Sequence, residues 1–149
     1  MISKNAKSGI AVTSSKKITI SDATVNNNGT DSRDYGINLN GVDTATVTNV
    51  TASSNSSNVS GSTFNTSAGG YGIYCNDKTE AVFNNVICQQ NYWSGMSMSD
   101  IGTKVTVTGG EYSKNGTRPD VKEDDDTTCA GIGAYNGATL TATNVVCKN

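Results

Sequence analysis

Apolar and small residues recur along this chain at matched offsets. A glycine followed by an apolar residue stands at Gly9-Ile10, Gly36-Ile37, Gly72-Ile73, Gly95-Met96 and Gly131-Ile132, with steps of 27, 36, 23 and 36 residues. Three residues after each glycine come Val12, Leu39, Cys75, Met98 and Ala134. Nine and eleven after it come the pairs Ile18/Ile20, Ala45/Val47, Ala81/Phe83 and Leu140/Ala142, joined by Val105/Val107 once one inserted residue is allowed. Fourteen and sixteen after it come Ala23/Val25, Val50/Ala52, Val86/Cys88 and Val145/Cys147, with Gly110/Tyr112 after the same insertion. Each unit therefore holds three short segments of period two, the strand periodicity, and self-similarity at fixed offsets is the signature of a solenoid.

No stretch keeps a 3.6-residue apolar stripe, and β-branched residues fill the periodic segments. The pattern predicts an all-β parallel β-helix of about five rungs of three short strands, with inward side chains stacked at about 4.8 Å. It covers 1–149 as one domain or fragment. Asp22, Asn49, Asn85, Gly109 and Asn144 mark the corner between the second and third strands, where a left-handed residue closes a tight turn. At the third corner a further Asn recurs, at Asn28, Asn55, Asn91 and Asn115. Insertions at 56–70 and 117–128 interrupt the return to the first strand and are expected on the same side.

On these repeats and Asn-rich corners the chain resembles the right-handed parallel β-helix superfamily typified by pectate lyases, which also includes phage tailspikes and surface adhesins. The resemblance implies an asparagine ladder at the corner after the second sheet. It also implies activities toward pectin and other polysaccharides, carried in the lyases by clustered acids holding calcium and an Arg or Lys base on the first sheet. Here the outward first-sheet positions read Ala11/Thr13, Asn38/Asn40, Tyr74/Asn76, Ser97/Ser99 and Gly133/Tyr135, with no Arg or Lys, and the nearest basic residue, Lys78, falls in a turn.

Composition narrows the choices. Thr (20), Asn (18), Ser (17) and Gly (16) make up nearly half the chain, and only 34% is hydrophobic. A thin coil tolerates this because its backbone hydrogen bonds run between rungs. A net charge of -2 argues against nucleic-acid partners, which require a basic stripe. No apolar run nears the roughly 20 residues that span a bilayer, so no membrane partner is expected, and Met1–Gly9 carries no signal peptide. Histidine is absent, which removes histidine triads, bases and metal ligands.

Four sets of residues carry candidate chemistry. Asp77 and Asp100, each five residues after its glycine in neighbouring rungs, form the best carboxylate pair for acid and base roles in a glycosidase; the alternative is that both cap turns. Tyr74, Asn76, Tyr92, Trp93, Tyr135, Asn38 and Asn40 are the candidate ligand-binding set, aromatic rings over a polar floor as in a sugar groove. The alternative has Tyr92 and Trp93 covering the third corner while Tyr35 and Tyr71 stack. Outward on the second sheet, Thr19, Thr46, Thr48, Thr106, Thr108, Thr141 and Thr143 form hydroxyl and methyl files resembling those of ice-binding solenoids, although Thr is favoured on any strand. The acidic run 120–126 offers oxygen ligands for Ca2+ but lacks the glycine and spacing of a calcium loop, so no cofactor is expected.

Cys88 and Cys147 share an inward offset two rungs apart, about 9.6 Å, beyond disulfide reach; Cys75 and Cys88 read as buried thiols, and a Cys129–Cys147 link is open. Together these features predict an extracellular, cell-surface or virion scaffold that binds polysaccharide or a surface glycan without chemistry. The alternative is a polysaccharide hydrolase or lyase of the pectinase or tailspike type. The last rung, ending at Cys147-Lys148-Asn149, reads as an edge that continues into a longer coil or associates end to end or as a trimeric fibre.

Overall fold

A computed structural model describes residues 1–30, 34–56, 70–117 and 130–148. Among these there is no helix; the chain winds as a coil of parallel strands. The first sheet stacks Ile10–Ser15, Ile37–Val42, Ile73–Asn76, Met96–Met98 and Ile132–Ala134. The second stacks Ile18–Ser21, Ala45–Thr48, Glu80–Asn84, Lys104–Thr108 and Thr139–Thr143. The third holds Ile87–Gln89, Glu111–Ser113 and Val146–Lys148, extended by bridges from Thr51 to Ile87 and to Thr24. Each successive strand of a sheet belongs to the next rung, and among the described residues the first and second sheets hold five strands each.

Register follows the repeat. Ile10, Ile37, Ile73, Met96 and Ile132 pair in one file, and Ile20, Val47, Phe83, Val107 and Ala142 in another. Val47, Phe83 and Val107 are fully buried. Tyr112 fills the file of Cys88, and its hydroxyl is buried without a partner. In the fifth rung Ala134, Ala142 and Cys147 point inward by register yet are exposed.

Two features lie outside the sequence expectation. The repeat begins earlier: Ile2–Ser3 pairs with Val25–Asn26 and adds a third-sheet strand beneath the first rung. The buried asparagine ladder runs up the third corner, not the corner after the second sheet. Asn28, Asn55 and Asn91 are fully buried there. The side-chain nitrogens of Asn5, Asn28, Asn55 and Asn91 each donate to the Oδ1 of the next Asn, ending at Asn115, at 2.8–3.2 Å.

The repeated glycine exists because of this ladder. A Cβ on Gly36 would stand 2.5 Å from Asn55 Nδ2 and 2.5 Å from the Gly72 carbonyl oxygen, and one on Gly72 would meet Asn91 Nδ2 at 2.7 Å. The second corner is simpler: Asp22, Asn49, Asn85, Gly109 and Asn144 all have φ between 51° and 69°, and only Asn49 to Asp22, at 3.1 Å, links side chains there. Ser56 N–H donates to the Asn28 carbonyl and Gly70 N–H to that of Asp34, so the coil holds both limits of the first insertion.

Candidate functional site

The outer face of the first sheet is where aromatic rings gather. Pairing places Asn38, Tyr74, Ser97 and Gly133 in one outward file, and Asn40 beside Asn76 in the other. Tyr35, Tyr71 and Tyr74 stack with ring centroids 5.1–5.8 Å apart. Tyr71, Tyr92 and Trp93 are the buried base of this cluster, against which Tyr35 and Tyr74 pack. Tyr92 and Trp93, at 6% and 8% exposure, are therefore packed inside this cluster and do not form an open groove wall. Tyr135 remains 40% exposed. A side chain on Gly133 would strike its ring, so Tyr135 folds back over its own strand.

The serines under these rings are consumed. Tyr71 shares a hydrogen bond with the Ser97 side chain and Tyr74 with that of Ser99. Burial raises both phenols above the usual tyrosine range, outweighing those bonds, so both stay neutral at physiological pH. Ser99 Oγ also donates to Asp100 Oδ1 at 3.1 Å and accepts from Asn136 Nδ2 at 3.0 Å. The strand Met96–Met98 is consequently buried on both faces. In the two strands before it, the buried amide oxygens of Asn38 and Asn76 stand without partners.

Asp77 and Asp100 occupy adjoining turns at the end of this face. Both are exposed and both have positive φ, 52° and 80°. The Asp77 N–H donates to Asp100 Oδ2 at 3.4 Å, so a carboxylate here caps a neighbouring turn. The side chain of Lys78 lies against Gly102 in the same corner, its Cγ 3.0 Å from where a Cβ would stand.

The second sheet presents Thr19, Thr46, Val82, Thr106 and Thr141 in one outward file and Ser21, Thr48, Asn84, Thr108 and Thr143 in the other. Val82, 41% exposed, interrupts the hydroxyls. Beside it Lys104 Nζ pairs with Glu80 Oε1 at 2.8 Å.

The acidic run 120–126 and Cys129 lie outside the described residues. Among those described, no group of three or more His, Cys, Asp or Glu residues is placed to hold a metal. Cys75, Cys88 and Cys147 are free thiols, the first two buried. Asn28, which heads an Asn-Gly-Thr sequon, is sealed in the ladder, with its nitrogen donating to both Ile2 O and Asn55 Oδ1.

A family model described as the right handed beta helix region matches residues 1–146. No curated protein and no solved structure matches the chain. With in-register parallel sheets rising rung by rung and a family match over nearly its whole length, the chain belongs to the right-handed β-helix family.

Proposed function

We propose that the protein is a polysaccharide-binding scaffold that acts at a surface outside the cell and holds its ligand along the outer face of the first sheet. One observation carries this reading: a stacked tyrosine row fixed on a rigid sheet beside the outward amides of Asn38, Asn40 and Asn76. Flat rings offer sugar C–H faces a large apolar contact, and amides at strand spacing supply directional hydrogen bonds. Support from Tyr92 and Trp93 means that little ordering cost accompanies binding. The turn geometry of Asp77 and Asp100 favours a structural role for them over acid and base work.

The test is a polysaccharide and glycan panel read for both binding and product release. Wild-type protein should bind at least one glycan, and Tyr74→Ala should weaken it about tenfold, the scale of one lost ring contact. No reducing ends or unsaturated products should accumulate. Product release abolished by Asp77→Asn or Asp100→Asn would instead support a polysaccharide-degrading enzyme.

A further inference from the structure

We infer that the ligand of this face is an uncharged glycan, read through its hydroxyls by amides and phenols, and not an acidic polyuronate. The inference rests on the binding reading above and adds the ligand's charge. The ten outward first-sheet side chains are Ala, Thr, Asn, Tyr, Ser and Gly, all neutral. Two carboxylates stand directly at the ends of the outward files: Asp77 follows Asn76, Asp100 follows Ser99, and both are exposed. Among the described residues the cations near this face stay out of the outward files: Lys78 lays its stem on Gly102 in the corner, Lys7 pairs with Asp34 at 3.9 Å, and Lys16 and Lys17 follow the first-rung strand.

The phenols do not alter the sign, because burial keeps Tyr71 and Tyr74 protonated. Nor, by sequence, do the stretches outside the described residues add net positive charge: 31–33 has Asp31 and Arg33, 57–69 has no charged residue, and 118–129 has Arg118 and Lys122 against Asp120, Glu123, Asp124, Asp125 and Asp126. A polymer carrying one carboxylate per sugar would lie along outward files that hold no cation and end at two carboxylates, so each repeat would add repulsion or uncompensated desolvation. A neutral polymer meets the half-buried amides of Asn38, Asn40 and Asn76 and the exposed Tyr135 ring without that charge penalty.

The experiment is calorimetric titration of wild type, Tyr74→Ala and Asn40→Lys with cellohexaose, mannohexaose, galactohexaose and hexagalacturonate, with and without EDTA. Wild type should bind the best neutral hexaose at least about tenfold more tightly than hexagalacturonate, the penalty of unmatched like charge. Asn40→Lys places a cation in the outward file and should strengthen hexagalacturonate binding about fivefold, the effect fading with salt. Hexagalacturonate binding equal to or tighter than the neutral sugars, still lost in Tyr74→Ala, overturns the charge inference and leaves the binding reading standing. Binding of no hexaose by wild type overturns both.

Discussion

Asn55 shows how much one side chain holds in this coil. Its Oδ1 accepts from the backbone N–H and the Nδ2 of Asn28, each at 3.2 Å, and its Nδ2 donates to Val25 O at 3.0 Å and Asn91 Oδ1 at 3.1 Å. All four amide bonding positions are used and none is exposed. Asn55→Ala would remove bonds to partners on both flanking rungs, so the loss should be about 3 kcal/mol or more. Asn49 provides the contrast, since its role at an exposed corner is a φ of 53°. Asn49→Gly should therefore stay within about 0.5 kcal/mol of wild type. Urea midpoints of the two variants separate these roles; equal losses would mean that the buried ladder carries no special weight. Both Asn rows were legible as repeats, but sequence spacing alone did not reveal which row turned inward. The signal was present in the glycine that always follows the third-corner row, which is needed because the ladder amide occupies the volume of a Cβ at Gly36 and Gly72.

At the scale of the strand, period two picked out the buried apolar files of the second, third and fourth rungs, since register in a coil repeats from one turn to the next. It did not reveal where an outward face is covered. Ser97 and Ser99, outward by period, are 1% and 8% exposed, because the tyrosine cluster lies over them. Two small hydroxyl residues facing tyrosines one rung away were the available hint. Inward positions are equally telling for the thiols. Burial pushes Cys75 up to about 12 from an ordinary 9.0 and raises Cys88 also. Both folded values exceed the unfolded ones, so folding favours the protonated thiol. The stability this contributes is complete below about pH 9 and is lost as pH climbs from about 9 toward about 12. Stability measured by urea unfolding should therefore decline across that window, and Cys75→Ala/Cys88→Ala should flatten the decline relative to wild type. An unchanged slope in the double variant would place the cause elsewhere, for instance in the buried hydroxyl of Tyr112.

At the scale of the whole molecule, the coil is a one-dimensional stack in which each rung rests on its neighbours. This makes it a ruler: outward files lie at fixed spacing along one axis, and a linear polymer can follow them. The first sheet contributes rings and amides, the second threonine files broken by Val82, and the third the Glu111–Lys148 pair at 3.3 Å. The fold was legible in the sequence because it is a repeat; the site was less so, because spacing raised the stacking of Tyr35 and Tyr71 and the covering role of Tyr92 and Trp93 only as an alternative, and burial is what decides it. The most direct test of the account is amide chemical-shift mapping with the best-binding oligosaccharide. Perturbations should concentrate on Asn38, Asn40, Tyr74, Asn76 and Tyr135 along the first sheet. Perturbations centred on Thr46, Thr106 and Thr141 of the second sheet, with the tyrosine face silent, would contradict it.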